Sequence, residues 1–306
     1  MRIHVLGAAA GGGFPQWNCG CANCCGVREG SIPATPLTQA SIAIAAHDNA
    51  WFVVHASPDI RTQLLAFPPL HPRGLRDSPI AGILLTNADL DQTLGLLTLR
   101  ESQPLHLYAT ETVRHAFMDE NRLYRALCRT PDQVTWHELK LESRQPLFLP
   151  DGSATSLSVM ALPVPGKVPL YMEGLSDSGQ EDNVALLITE EPRGSSVAYA
   201  PCVGGPSPSV DRLLHEAECL FFDGTFWSDD ELPRLGFGSR TARDMAHWPL
   251  GGIGGSLPAI QKAKASRRFL IHINNTNPIL RADSSERREI SQGGIEVAYD
   301  GLEVLL

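Results

Sequence analysis

Short apolar runs alternate along the chain with polar stretches punctuated by glycine and proline, and the period of each run sets the element it predicts. Residues 2–6 predict a first strand and residues 7–13 a glycine-rich turn. Ser41–Ala45 and Trp51–Val54 alternate or run apolar, which predicts a meander. Residues 57–65 predict a helix with Ser57 as N-cap and Pro58 at the first helical position. A buried strand follows at 80–85, after which Leu94, Leu96 and Leu97 begin a helical apolar face. Leu105–Ala109 predicts a strand, and 111–127 a mostly helical stretch with a break at Asn121. The second half predicts a strand at 157–162, a hairpin from 183–189 and 197–200, a helix at 210–217 and a buried strand over Cys219–Asp223. A helix at 257–265 and a strand at 268–273 come next. Asp283-Ser284-Ser285-Glu286 then reads as a capping box opening a helix to Ile290, and strands at 295–298 and 302–305 close the chain. Meanders alternating with strand–helix pairs, undivided by any low-complexity linker, predict one α/β (α+β) domain over residues 1–306. Its two sheets are covered by helices, and a site lies at the strand ends.

The stretch from Ile80 to Leu96 organises this picture, because its apolar run stops at Thr86 and hands over to Asp89 and Asp91. Carboxylates placed there either cap the helix that follows or face a ligand at the rim. Asp223, His247 and His272 also fall at predicted strand ends or in a glycine-rich loop. Singly, His272 reads equally as a core histidine and Asp223 as a cap on the turn at Gly224. Together with Asp89 and Asp91 they suit a metal held at a sheet rim. His115, His137 and His215 sit in ordinary amphipathic segments and are expected at the surface. No G-x-S-x-G elbow is present, which disfavours a Ser-His-Asp hydrolase. The early glycines lack G-x-G-x-x-G spacing, which disfavours a dinucleotide site.

Cysteine usage adds a second centre. Of seven cysteines, Cys19, Cys21, Cys24 and Cys25 cluster within one short loop over about residues 18–26. The spacing Cys-x-Cys-x2-Cys can wrap three thiolates around one tetrahedral zinc. Cys25, adjacent to Cys24, is expected to point away, so a distant residue supplies any fourth ligand. A redox pair is disfavoured, because the cluster does not open a helix in a thioredoxin-like βαβ unit.

A net charge of −9 over 306 residues, with no long basic run, excludes nucleic acid as the expected partner. No uninterrupted apolar run approaches the ~18 residues of a membrane span. The N-terminal apolar start is interrupted by His4 and the glycines and lacks a cleavage pattern, so a cytoplasmic protein is expected.

These motifs together resemble the metallo-β-lactamase superfamily and, within it, the B-protein family of pyrroloquinoline quinone (PQQ) biosynthesis. The resemblance rests on the opening through Gly13, Cys19-x-Cys21-x2-Cys24 and Ala56-Ser57-Pro58-Asp59. It extends through Leu85-Thr86-Asn87-Ala88-Asp89-Leu90-Asp91, Phe222-Asp223-Gly224-Thr225-Phe226-Trp227 and Ile271-His272-Ile273-Asn274-Asn275-Thr276. It covers essentially the whole chain and implies a four-layer αββα sandwich with a metal site along one edge. Hydrolases of the superfamily carry T-H-x-H-x-D-H, where this chain has Thr86-Asn87-Ala88-Asp89-Leu90-Asp91-Gln92. By resemblance Asp91 matches the superfamily aspartate, Asp223 the bridging carboxylate and His272 the late-strand histidine. Asn275 stands at the fourth ligand position of the cysteine site. Few imidazoles beside carboxylates suit Fe2+ that activates O₂ better than a binuclear zinc pair.

The activity implied is O₂-dependent hydroxylation of the tyrosine ring in a Glu-Tyr-derived intermediate of PQQ biosynthesis. Its catalytic residues would be Asp89, Asp91 and His272, with Asp223 and His247 completing the active-site metal shell, and a structural Zn2+ would sit on the cysteines. The alternative is a carrier that assists transport of PQQ or its precursor toward the periplasm without catalysis. Partners are thus a small peptide or PQQ-precursor substrate, with a homodimer left open.

Overall fold

In the computed structural model, which describes every residue except 47–49, 102 and 131, the period-two alternation of the strands sorts their side chains cleanly to opposite faces. Ile42 and Ile44, and Phe52 and Val54, point into one core, and Ala43 and Ala45, Trp51 and Val53, and Ile83 and Leu85 into another; on β4 a register shift between Ile80 and Gly82 puts Ala81 in the first core with Leu84. The first sheet comprises β1 (Arg2–Gly7), β2 (Ser41–Ala45), β3 (Trp51–Val54), β4 (Ile80–Leu84), β5 (Leu105–Ala109), β6 (Val134–Glu138) and β14 (Glu303–Leu305), in the order β14-β1-β2-β3-β4-β5-β6. The second comprises β7 (Arg144–Phe148), β8 (Ala154–Pro163), β9 (Val184–Glu190), β10 (Ser195–Ala200), β11 (Cys219–Asp223), β12 (Arg267–Ile271) and β13 (Glu296–Val297), ordered β13-β12-β11-β10-β9-β8-β7. Each sheet runs antiparallel near the hairpins and parallel where helices cross over, as β3-β4-β5-β6 and β10-β11-β12-β13 show.

Among the described residues eight α-helices join them: α1 (Ala22–Glu29), α2 (Ile60–Ala66), α3 (Leu90–Thr93), α4 (Glu111–Met118), α5 (Pro208–Glu216), α6 (Glu231–Arg234), α7 (Leu257–Gln261) and α8 (Ser285–Gln292). Ile60 of α2 and Val113, Ala116 and Phe117 of α4 bury against the outward face of the first sheet. Val210 and Leu213 of α5, Ile260 of α7 and Ile290 of α8 join the core of the second. The result is the predicted sandwich of two sheets between helical layers.

Local chemistry explains where elements depart from their predicted bounds. The helix expected from 57 begins only at Ile60, because the Ser57 hydroxyl accepts from Asp59 N (3.2 Å) in a turn and donates to Gln63 Oε1 (3.0 Å). The capping residue of α8 is Ser284, accepting from Arg287 N at 2.9 Å, while Asp283 turns outward to Arg281. The helix expected from Leu94 is one α turn followed by 3₁₀ over Leu94–Leu99. There Gly95 donates its N–H to Ala56 O, and a Cβ on it would stand 2.1 Å from Ser57 O, so only glycine permits the approach. The break at Asn121 is present: its side chain caps the 3₁₀ stretch Arg122–Cys128. β6 and β7 were not anticipated, and β6 places His137 half-buried against His106 rather than on a free surface. The cysteine cluster, expected in a loop, does open a helix: Cys21 caps α1 by accepting Cys24 N on its sulfur.

At one edge the sheets are stitched together. Ala9 bridges both Gln39 and Ile273, and Ile273 exchanges backbone hydrogen bonds with Ala8 and Ala10. Asp300 accepts from Ala8 N, Thr38 N and the Thr38 hydroxyl, which fixes the N-terminal segment over that edge. The strand ends that converge beneath it are those of β3, β4, β10, β11 and β12.

Candidate metal centre

Each of those strand ends delivers one polar side chain. Asp91 comes from the first turn of α3 after β4, Cys202 follows β10, Asp223 ends β11, and His272 directly follows β12. His272 Nε2 lies 3.1 Å from Asp91 Oδ2 and 3.9 Å from Cys202 Sγ. A ring nitrogen of His247 joins Cys202 and His272 in a set of ligand atoms all within 4.8 Å of one another. The His247 and His272 rings stack with centroids 5.4 Å apart. His272 holds a φ of 59° and His55 one of 69°, left-handed conformations that cost about 1–3 kcal/mol and cluster at functional sites.

Asp223 anchors this group from behind. Fully buried, it accepts from Val203 N (2.8 Å) and His247 Nδ1 (2.7 Å) on Oδ2, and from Thr225 N (2.9 Å) and the Thr225 hydroxyl (2.6 Å) on Oδ1. The Thr225 oxygen in turn meets His272 Nδ1 at 2.9 Å. Because that hydroxyl donates to Asp223, its oxygen accepts from His272 Nδ1–H. One carboxylate thus fixes both imidazoles through their Nδ1 sides, leaving the Nε2 lone pairs for the cavity. Burial penalises the Asp223 charge, yet His247, His272 and Thr225 hold the carboxyl below the usual range. Both of its oxygens accept from protein donors, a position from which Asp223 supports the imidazoles.

The charges of the front group compensate one another. Burial opposes a charge on His272, but the flanking Cys202 sulfur and the Asp91 carboxylate override it and raise its pKa well above the ordinary value. Burial likewise opposes the Asp91 charge, and His272 more than offsets it. Burial pushes the Cys202 thiol up to about 11 and, with the Asp91 charge, the Asp89 carboxyl up to about 7. Asp89 stands at the N-cap of α3 without making a side-chain cap bond. A metal cation would replace the proton that Asp91 and His272 now share.

Asp89, Asp91, Cys202, His247 and His272 line one cavity of about 350 Å³ with Leu90, Leu170, Phe226 and Met245 along its apolar walls. Lys167 and Arg240 stand at its mouth and share the two oxygens of Glu173, at 2.8 and 3.3 Å. Two of the superfamily histidine positions are filled by groups that turn inward on the protein, whereas the third, Asp89, lines the cavity. Asn87 donates to Asn183 Oδ1 (3.3 Å), and Gln92 donates from Nε2 to Cys202 Sγ (3.2 Å) while its Oε1 accepts from Thr86 (2.9 Å). His55 completes this line at 2.8 Å from the Thr86 hydroxyl, and burial holds its pKa down to about 3. Cys202 and His55 were missed from the sequence, although each follows an apolar strand as Asp223 and His272 do.

The second cluster lies at the other end of the same segment. Cys19, Cys21 and Cys24 bring their sulfurs within 4.8 Å of one another, and Cys25 turns away to Gly20 O. Asn275, three residues after His272, points its amide into the trio, with Nδ2 at 3.1, 3.7 and 3.4 Å from the three sulfurs. Rotating that amide by half a turn presents Oδ1 as a fourth donor. Burial raises the Cys21 thiol, but the N–H groups of Cys24 and Asn23 and the neighbouring thiols bring it below its ordinary value.

Comparisons with known proteins place the chain in a family. A family model described as the beta-lactamase superfamily domain matches residues 50–273. Coenzyme PQQ synthesis protein B of Ruegeria pomeroyi is 46% identical over 312 residues, covering 100% of both chains. The same protein of Pseudomonas putida F1 is 41% identical over 307 residues, again covering 100% of both. The chain belongs to the coenzyme PQQ synthesis protein B family of the beta-lactamase superfamily. A solved member of that family, Zn(2+)-bound PqqB from Methylobacterium extorquens, superposes with a TM-score of 0.91 at 40% identity over 100% of both chains. A diphosphatase of the PhnP family superposes with a TM-score of 0.66 at 20% identity, covering 100% of this chain and 97% of its own, and shows the shared fold alone.

Proposed function

We propose that this chain is a metal-dependent oxygenase of PQQ biosynthesis that hydroxylates the tyrosine ring of a small Glu-Tyr-derived peptide. The observation that carries this reading is the donor set: one carboxylate oxygen and one imidazole nitrogen 3.1 Å apart, with the His247 imidazole beside them, facing a cavity with open space. Amides and a carboxylate fill the remaining superfamily histidine positions. Such a set fits a mononuclear ion with free coordination positions and does not fit a two-zinc hydrolase. Fe2+, when bound, would supply the O₂ chemistry that no side chain offers.

The chain's own residues do the rest. Asp91 and His272 hold the ion, with Asp223 and Thr225 fixing the imidazole lone pair toward it. Leu90, Leu170, Phe226 and Met245 wall the cavity, a surface suited to an aromatic ring. Lys167 and Arg240 share a single carboxylate, so the mouth carries one cation beyond its internal partner and suits a peptide bearing carboxylates. Asp89, buried beside Asp91, is in place to accept the phenolic proton. Cys19, Cys21, Cys24 and Asn275 would hold a structural Zn2+, in keeping with the zinc-bound form of the Methylobacterium relative. That ion would tie the N-terminal segment to the segment carrying His272.

The test is anaerobic reconstitution with Fe2+, followed by O₂, a Glu-Tyr peptide and a two-electron reductant such as ascorbate, which allows the second oxygen atom to leave as water, with the product read by mass spectrometry. A gain of one oxygen that disappears in His272→Ala supports the reading. Tight binding of finished PQQ with no turnover under any metal would overturn it in favour of a carrier.

A further inference from the structure

We propose that Cys202 is a thiolate ligand of the same metal ion, adding a sulfur donor to a site of carboxylate and imidazole groups. The inference rests on the reading above that Asp91 and His272 hold a metal, and it changes the kind of site they belong to. Three observations carry it.

The first is convergence. Cys202 follows the end of β10, Asp91 the end of β4 and His272 the end of β12, so three strands from two sheets aim their donors at one point. Sγ lies 3.9 Å from His272 Nε2, which itself lies 3.1 Å from Asp91 Oδ2. Donors about 2 Å from a common ion stand some 3–4 Å apart from each other in tetrahedral or octahedral geometry; the Cys202–His272 and His272–Asp91 pairs have that spacing, and a His247 ring nitrogen lies with Cys202 and His272 in one set within 4.8 Å.

The second is the support behind the sulfur. Gln92 occupies a superfamily histidine position, but its amide does not face the cavity as a ligand. Thr86 donates to its Oε1 (2.9 Å), which turns Nε2–H onto Cys202 Sγ at 3.2 Å. Buried His55 meets the Thr86 hydroxyl at 2.8 Å and completes the line. An N–H donor aimed at the sulfur fixes the side chain toward the cavity, and ligands are ordinarily held by such an outer partner. Gln92 therefore acts as a positioning residue for a ligand on the far side of the site.

The third is the lack of any other task for this thiol. Among the described residues Cys202 has no cysteine partner for a disulfide, and it lines the cavity beside the ligand atoms instead of packing in the apolar core. Cys219, by contrast, is a buried core cysteine at the start of β11. Thiolate ligation would make the centre softer than a carboxylate–imidazole set, favouring Co(II), Zn(II) and Fe(II) over Mn(II) and Mg(II).

The experiment uses Co(II), whose thiolate charge-transfer band in the near ultraviolet reports sulfur ligation and whose weaker visible bands report binding by any ligand. The full-length chain is first given one equivalent of Zn(II) to occupy the Cys19, Cys21 and Cys24 thiols. Co(II) is then titrated anaerobically into wild type, Cys202→Ser and Asp91→Ala, with circular dichroism confirming each fold. Wild type should develop the charge-transfer band with its Co(II) equivalent. Cys202→Ser should keep the visible bands but lose the charge-transfer band, and should bind Co(II) at least about tenfold more weakly. Wild type showing visible bands that depend on Asp91 without any charge-transfer band overturns the proposal and leaves the metal-site reading standing. A charge-transfer band that survives in Cys202→Ser also overturns it. If wild type binds no further Co(II) once zinc is in place, the metal-site reading itself fails. Should Cys202→Ser not fold, the wild-type spectrum alone decides.

Discussion

Replacing Asp223 by asparagine keeps the size of the side chain and removes half of what it does. Oδ1 would still accept from Thr225 N and the Thr225 hydroxyl, but an NH₂ would face Val203 N–H and His247 Nδ1–H, which now donate at 2.8 and 2.7 Å. The His247 ring can answer by moving its proton to Nε2 and accepting on Nδ1. That tautomer presents N–H, not a lone pair, to the cavity. The buried Val203 N–H has no such escape, and leaving it unpaired costs about 1–3 kcal/mol. Loss of the charged acceptor from His247 and from the Thr225–His272 relay should weaken active-site metal binding by roughly 10- to 100-fold. Urea unfolding of chelator-treated protein measures the first effect, and competition with a chromophoric chelator in zinc-loaded protein measures the second. An Asp223→Asn protein with wild-type stability and wild-type metal affinity would refute the view that this carboxylate orients both histidines.

Further outcomes follow from other sites. Cys21→Ser should lower bound zinc below one equivalent per chain and reduce thermal stability, because the fold would lose a ligand-held tie; unchanged zinc content by elemental analysis would contradict this. Lys167→Met should raise KM for a carboxylate-bearing peptide roughly tenfold with a smaller change in kcat, as expected for losing one partly exposed charge-assisted contact. An unchanged KM would place the peptide's carboxylates elsewhere. Burial raises the Asp300 carboxyl from 3.8 to about 6, although Thr38 and Ala8 N–H groups favour its charge. The native state therefore holds a proton that the unfolded chain releases, and this contribution to stability is lost as pH rises from about 4 through about 6. The stability of wild type relative to Asp300→Asn, from unfolding at a series of pH values, should fall across that window and flatten above it; a difference that rises there would contradict the assignment.

Most of the fold was legible because period-two alternation and apolar strand runs are strong local signals, and all but two strands were anticipated from them. The missed pair had a physical reason. β6 and β7 are short and half-exposed, with polar or charged residues at Thr135, His137, Glu138, Arg144 and Gln145, so no apolar run marks them. Boundaries moved where side chains competed for backbone donors, as at Ser57 and Ser284. The site was legible at Asp91 and His272, where an ionisable residue interrupts or ends a buried run. Cys202 and His55 carried the same signal but resemble core residues in composition. Asp223 shows the converse limit: its place at a strand end says that it belongs to the site, and only the structure shows the four donors that its oxygens accept from. The proximity of Asn275 to three thiols across more than 250 residues of sequence is likewise a product of tertiary structure.

The measurement closest to the central claim is a single turnover under isotopically heavy O₂. Zinc-loaded protein reconstituted with one equivalent of Fe2+ is mixed with a Glu-Tyr peptide and a two-electron reductant such as ascorbate, and the product is analysed by mass spectrometry beside Asp91→Ala and His272→Ala. The account predicts a ring-hydroxylated peptide carrying one heavy oxygen atom from wild type and none from either variant. Heavy-oxygen product from Asp91→Ala and His272→Ala at the wild-type level would contradict it, as would wild type that binds Fe2+ and peptide yet returns the peptide unchanged.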